Sequence, residues 1–369
     1  MKILFLVNHL NVGGITSYIL TLASGLKKKG HNVFIASSGG ELLPKFNDLG
    51  IVYISIPIKT KNELSPKILL SALKLKKIIK DNEIDILHSH SRTTQVLGCL
   101  LYEFTGIKHI TTCHGFFKRR FSRKILPCWG EKVIAISEQV KEHLVDDFKI
   151  KPDRISLINN GIDVDRFKQI TLSQKQEAKN RLGFKSSSVI GILARLSDVK
   201  GHKYLIEAMK TVLVNFPDAQ LLVAGEGKME KELKRLTESL NIEKSVLFVP
   251  EALDTRDILS AIDIFVMPSL KEGLGLALME AMSSGLAVVG SSVGGIKTLI
   301  KDGENGLLVD SGDSSGIAKA VIDLISNPGK ALNLGANARR YIADKFSQEY
   351  MVLKTEELYQ ECLKKKSCR

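Results

Sequence analysis

The sequence predicts an α/β protein of two doubly wound parallel sheets, and three observations carry that prediction. Short apolar, β-rich runs alternate with longer helix-prone stretches through both halves of the chain. Glycine turns stand directly after several of these runs, as at Gly13-Gly14 and Gly225-Glu226-Gly227. The 369 residues suffice for two domains of ordinary size, each with its own core.

Composition narrows the class. With 44% hydrophobic and 25% charged residues the chain has the balance of a water-soluble globular protein, and no apolar run approaches the ~20 residues of a spanning helix. Met1-Lys2 precedes an apolar stretch, but Asn8-His9 follows at once, so the start reads as a strand and not as a signal peptide. Five cysteines without close pairing or metal-site spacing point to a reducing, cytoplasmic setting. The formal net charge of +13 is uneven: residues 1–165 carry 24 Lys and Arg against 15 Asp and Glu. That excess suits an anionic partner (nucleic acid, a phosphorylated acceptor or an acidic membrane surface) or a merely basic surface.

In the first half, Lys2–Val7 reads as a buried strand and Ile15–Lys28 as a helix, joined through Gly13 and Gly14, a backbone that admits phosphate or sugar closely. His31–Ala36 and Ile51–Pro57 are strands. Ser65-Pro66 opens a basic amphipathic helix through Lys80 that reads as a cover for the sheet. Ile84–Leu87 ends in His88-Ser89-His90, a histidine pair that lacks a third ligand for a metal. Ile110–Cys113 closes with His114-Gly115. Then Phe116–Leu126 interleaves three Phe with Lys118, Arg119, Arg120, Arg123 and Lys124. Such a segment suits nucleic-acid stacking, an anionic lipid interface, or a helix that buries its rings and solvates its charges. Lys132–Ser137 is a strand, Glu138–Phe148 a helix, and Ile155–Asn159 a further strand before Asn160-Gly161-Ile162-Asp163-Val164-Asp165. Asp163 and Asp165 have the spacing of a metal-holding carboxylate pair but trail an Asn-Gly turn, and Lys168–Lys185 reads as a polar, helix-prone linker into the second domain.

In the second half, Val189–Leu193 leads into a loop bracketed by Arg195 and Lys200, placed to hold a diphosphate from two sides. Leu221–Ala224 ends in the Gly225-x-Gly227 turn, and Val246–Val249 is another strand. Ile262–Met267 is a buried strand, followed by Pro268-Ser269-Leu270-Lys271-Glu272-Gly273-Leu274-Gly275 and a helix that carries Glu280. Glu272 therefore lies in a strand-to-helix loop, where ligands of open parallel sheets bind, and Glu280 about two turns further on. Leu286–Gly290 and Gly306–Asp310 complete the strands, and Phe346–Lys366 is the last helix.

Glu272 and Glu280, in a Pro-Ser…Glu-Gly…Gly…Glu frame, resemble the paired-glutamate motif of the retaining family-4 glycosyltransferases. His114-Gly115, the Asn160-Gly161-Ile162-Asp163 string, the Arg195/Lys200 pair and Gly225-x-Gly227 extend the resemblance over nearly the whole chain; Ala287 departs from the family's usual proline. The resemblance implies the GT-B fold, two Rossmann-like domains facing across a cleft. Residues 1–167 would form the acceptor side, with 346–369 packing back on it, and 168–345 the nucleotide-sugar domain. It implies catalytic roles for His114 and Glu272. Donor contacts would come from Gly13, Gly14, Arg195, Lys200, Gly225, Gly273, Leu274, Gly275 and Glu280, the last on the ribose. His88 and the basic residues of 118–124 would face the acceptor or an anionic membrane.

The implied activity is transfer of a hexose-type sugar, with retention, from a nucleotide diphosphate sugar (a UDP-sugar favoured) to a cell-surface glycan or lipid-linked acceptor. No cofactor, metal or nucleic acid is expected, and the implied location is cytoplasmic, peripheral on the inner face of the cell membrane. Two rivals stand beside this reading: a nucleotide-sugar epimerase or hydrolase of the same fold, and a nucleic-acid-binding protein resting on charge and on Phe116–Leu126.

Overall fold

Runs such as Ile3-Leu4-Phe5-Leu6, wholly buried along one strand, have no polar face to give to water and must be covered on both sides. The computed structural model, which describes residues 1–60, 62–117, 121–184, 188–250 and 254–364, does this with two all-parallel sheets. One unit comprises Met1–Gly161 with Gln348–Arg369, the other Ile162–Ser347.

The first unit holds β1 (Lys2–Leu6), β2 (Asn32–Ser37), β3 (Val52–Ser55), β4 (Ile86–Ser89), β5 (Lys108–Cys113), β6 (Lys132–Ala135) and β7 (Ile155–Leu157), in the order β3-β2-β1-β4-β5-β6-β7. The second holds β8 (Val189–Leu193), β9 (Gln220–Ala224), β10 (Val246–Val249), β11 (Ile264–Met267), β12 (Ala287–Ser291) and β13 (Leu307–Val309), in the order β10-β9-β8-β11-β12-β13. Both sheets reverse direction of winding next to their first strand, between β1 and β4 and between β8 and β11. The loops that leave these strands at their carboxyl ends meet at these switch points, where open parallel sheets form their ligand crevice.

The last helix, Gln348–Lys364, belongs to the first unit. Its Met351, Val352, Leu358, Tyr359 and Cys362 share a core with Tyr18, Ile19, Leu22 and Leu26 of the helix Gly14–Lys28. Gly25 permits the close approach, since a Cβ there would lie 2.4 Å from Val352 Cγ2.

Several expectations are corrected. Residues 162–167 join the second unit: Ile162 N–H donates to Phe346 O at 2.8 Å, and Phe167 O accepts from Ser283 Oγ and Arg339 Nη1, both at 3.0 Å. Phe346 and Ser347 also stay with that unit, so the final helix starts two residues later than read. The helix-prone stretch 168–185 does form a helix, Leu172–Arg181, capped by Thr171, but as part of the second unit and not as a linker. Its Lys175 and Lys179 pair with Asp263 at 2.9 and 2.6 Å. A helix at Arg92–Thr105, with a Ser91/Thr94 capping box, had no counterpart in the sequence reading. The helix Pro66–Asp81 covers the sheet with Ile68, Ala72, Leu75 and Ile79, yet leaves Leu69, Leu70 and Leu73 about half exposed.

Candidate active site

At the β8/β11 crevice of the second unit, Lys200 Nζ donates to Glu272 Oε2 at 2.6 Å, and Ser269 Oγ reaches the same oxygen at 3.4 Å. The sequence-predicted pair of loops therefore does converge, through a charge-assisted bond, with Arg195 exposed on the β8 loop. Backbone contacts fasten the loops. Leu270 N–H donates to Val199 O at 2.8 Å, and Gly295 N–H to Glu272 O at 3.2 Å. Glycines make this possible: a Cβ on Gly201 would lie 1.9 Å from Pro268 O, and one on Gly294 2.0 Å from Glu272 O. Gly275, at φ +95°, turns the chain into the helix Leu276–Ser283, so the N–H groups of that first turn open at the loop. Gly225, expected as a donor contact, is a glycine required by packing. Its missing Cβ would sit 2.1 Å from Ala194 O, so the neighbouring β8 loop occupies that space.

Glu280 stands on the second turn of that helix, in surroundings the sequence did not disclose. Burial pushes its carboxyl up to about 7; Thr255 and the charge of Arg166 work against that shift, and Asp254 adds to it. Asp254 itself stays ionised: burial works against its charge but is outweighed by Arg256, whose Nε donates to both carboxylate oxygens at 3.0 Å. Arg166 also reaches Asp254 at 3.3 Å. Arg166 is delivered there by a turn in which Asp163 Oδ1 accepts from the N–H groups of Asp165 and Arg166 at 3.1 and 3.0 Å. The Asp163/Asp165 spacing thus serves a local turn. A cavity of ≈ 320 Å³ lies along this segment, lined by Arg166, Lys168, Gln174, Arg256 and Ser284 among others.

At the β1/β4 crevice of the first unit, Asn8 Oδ1 accepts from Ser91 Oγ at 2.9 Å and Thr93 Oγ1 at 2.6 Å. Gly13, at φ +153°, would meet nothing within 4 Å with a Cβ and stands just before the helix that begins at Gly14. His114 is half-buried after β5, and burial pushes it down to about 3, so it is neutral across the physiological range. Its Nε2 lies 3.1 Å from His90 Nδ1, and Tyr18 meets its ring edge-on at 4.8 Å.

His88 is corrected. It is wholly buried, with Nδ1 2.7 Å from Tyr359 Oη and Nε2 2.7 Å from Thr112 Oγ1, and both nitrogens are spent inside the core. Arg123 is corrected too: it is buried and stacks on Phe117 at 4.2 Å to the ring centre, so it faces neither acceptor nor lipid. Lys118, Arg119 and Arg120 lie outside the described residues, and the side chain of Lys124 is likewise outside them. The stretch after Arg123 is pinned by Arg92, which donates to Leu126 O at 2.6 Å and pairs with Glu63 at 2.8 Å. Among the described residues no cluster of three or more His, Cys, Asp or Glu is placed for a metal, and no helix is long and apolar enough to cross a membrane.

Comparison with known proteins agrees with this fold. The family model for glycosyl transferases group 1 matches residues 174–341, and that for glycosyltransferase family 4 matches residues 12–166. The UDP-Gal:alpha-D-GlcNAc-diphosphoundecaprenol alpha-1,3-galactosyltransferase of Escherichia coli is 30% identical over 322 residues, 82% of each chain. The N-acetyl-alpha-D-glucosaminyl L-malate synthase of Bacillus anthracis is 28% identical over 372 residues, 96% of this chain and 95% of the relative. A solved glycosyltransferase from Rickettsia africae ESF-5 superposes with a TM-score of 0.87 over 99% of both chains, at 26% identity.

The raised Glu280 carboxyl has a consequence for stability. Its folded pKa of about 7 exceeds the ordinary value of 4.5, so the native state binds the proton more tightly than the unfolded chain between these limits. Stability is therefore lost as pH rises through that window. Glu280→Gln should melt at a higher temperature than the parent protein at pH 8 and at nearly the same temperature at pH 4.5. A lower melting point at pH 8 would show that the ionised carboxylate is stabilised where it stands.

Proposed function

The chain belongs to the family-4 glycosyltransferases of GT-B fold, and on that premise we propose that it moves a hexose-type sugar from a UDP-sugar with retention of configuration. The acceptor in this reading is a lipid-linked or cell-surface glycan. The observation that carries the proposal is the 2.6 Å Lys200–Glu272 pair at the crevice of the second sheet. The E. coli relative's named donor and diphosphoundecaprenol acceptor support the choice of UDP-sugar and of a lipid-linked substrate.

In this mechanism Lys200, Arg195 and the N–H groups at the start of Leu276–Ser283 stabilise charge developing on the leaving diphosphate. As the diphosphate takes Lys200, Glu272 loses its partner and accepts hydrogen bonds from the sugar. Glu280 takes the ribose hydroxyls, and His114 is a contact of the sugar in this reading. No carboxylate of the first unit is assigned as a nucleophile, so the proposed route is front-face displacement.

These roles separate kinetically. Glu280→Gln should raise the donor KM by about ten- to a hundredfold, the size of a lost charged hydrogen bond, with kcat little changed. Glu272→Gln should lower kcat more than it raises KM. UDP release from a UDP-sugar without transfer, or equal small effects at both positions, would remove the assignment.

Metal independence is part of the proposal, because in this reading cationic side chains and helix-start N–H groups hold the diphosphate. Transfer should survive EDTA to within a few-fold. Complete loss, restored by magnesium or manganese, would overturn this phosphate site.

The acceptor reading places the enzyme on the cytoplasmic face of a membrane. With Arg123 buried, its support now comes from the helix Pro66–Asp81, where exposed Leu69, Leu70 and Leu73 lie among exposed Lys67, Lys74 and Lys77. Apolar insertion plus ~1 kcal/mol per lysine near an anionic surface favours such a leaflet. The protein should bind anionic but not neutral vesicles, less so as salt rises, and Leu69, Leu70 and Leu73→Ser together with Lys67 and Lys77→Ser should abolish that binding. Unchanged binding by the substituted protein would leave the face as a solvated one, and a soluble acceptor of the kind named for the B. anthracis relative would become the better reading.

A further inference from the structure

Three histidines crowd the carboxyl ends of β4 and β5, and the proposed mechanism uses only one. His90 is 2% exposed, its ring held against Phe5 at 5.4 Å and His88 at 4.2 Å between centres. Its Nδ1 lies 3.1 Å from His114 Nε2, while its own Nε2 is buried with no partner among the described residues. Burial pushes both rings well below the ordinary histidine value, so each carries one proton at working pH. The bond between them then has two forms, which differ in which ring donates.

The buried, unpartnered nitrogen decides between them. If His114 donated, His90 would carry its proton on Nε2, an orphaned N–H in the core. If His90 donates from Nδ1, the orphan is only a bare lone pair. Buried N–H groups without partners are the rarer and more costly case. We infer that His90 is a positioning residue that donates from Nδ1 to His114 Nε2 and so fixes His114 in the tautomer with its proton on Nδ1. His114 thereby keeps one donor, Nδ1–H, as its remaining hydrogen-bonding group. The Tyr18 edge contact restricts rotation of the ring, and the neighbouring His88 is locked by Tyr359 and Thr112. The chemical consequence rests on the reading of His114 as a sugar contact: the ring offers a donor to a sugar oxygen and cannot act there as a general base. The tautomer itself does not depend on that reading.

The test is a long-range proton–nitrogen correlation spectrum of the full chain with ring-15N-labelled histidine, the His114 signals being identified by their loss in His114→Gln. Expected are a protonated Nδ1 and a bare Nε2 for His114, and a bare Nε2 for His90. A protonated Nε2 on His114 in the parent protein overturns the inference, whether or not the chain transfers sugar and whether or not any variant folds. In His90→Asn, whose amide nitrogen stands near the place of Nδ1, His114 should keep its Nδ1 proton; in His90→Leu the proton should move to Nε2 or exchange between both. With a UDP-sugar, His90→Leu should lose about tenfold in kcat, the order of one neutral hydrogen bond, with KM within about twofold, and His90→Asn should recover most of it. An unshifted tautomer in His90→Leu overturns the inference. A shifted tautomer with unchanged transfer supports it and counts instead against His114 as a sugar contact.

Discussion

Along the carboxyl edge of the second sheet, backbone carbonyls occupy the positions where side chains would begin. Pro268 O stands against Gly201, Glu272 O against Gly294, Gly273 O against Gly295, Ala194 O against Gly225 and Leu196 O against Gly227, each within about the length of a covalent bond and a half of where a Cβ would be. No residue but glycine fits such approaches without moving backbone. The result is a set of strand-end loops locked to one another, as a ligand-holding edge needs if it is to be formed before the ligand arrives. The Lys200–Glu272 bond depends on that lock, because two long side chains on separate loops meet at 2.6 Å only if both loops are held in place.

The two units share a strand order and use it for opposite chemistry. In the second, charges are kept close together under partial burial. Lys200 answers Glu272, Arg166 and Arg256 answer Asp254, and Glu280 is left with too little compensation to hold its proton affinity at the ordinary level. Such an arrangement costs stability, because a buried carboxylate without a full set of partners is desolvated without compensation. In the first unit the corresponding edge is built from neutral rings, with His88, His90, His114, Tyr18 and Tyr359 in contact through edges and shared protons. A neutral imidazole can donate or accept according to its neighbour, and no net charge has to be desolvated there.

The last helix makes the first unit discontinuous in sequence. Tyr359 brings its hydroxyl to His88 across a separation of 271 residues, and Glu356 reaches His31 at 2.8 Å across 325. The β1/β4 edge therefore depends on a segment that follows the second unit in sequence, and its contacts form only after that unit has been made.

Much of this was legible in the sequence. Continuous apolar runs marked the strands because a parallel strand is buried on both faces, and Glu138–Phe148 was delimited by its own cap and composition. Lys200 and Glu272 were legible as candidates because both stand in loops at strand carboxyl ends, where open parallel sheets bind ligands. What the tertiary structure alone decided are the partners. His88 and His114 both read as strand-end histidines, yet His88 lies within β4, sealed by Tyr359 and Thr112, while His114 follows β5 and stays half-exposed. Arg123, read as a surface charge, is stacked among Phe117, Trp129 and Phe148. Residues 162–167, assigned by the resemblance to the first domain, are bound to Phe346, Ser283 and Arg339 and carry Arg166 to the surroundings of Glu280. Periodicity and turn residues act within a few positions of the chain and so set which face a residue takes. Whether that face meets water, a ring or a charge depends on segments far away in sequence, and only the folded chain brings those together.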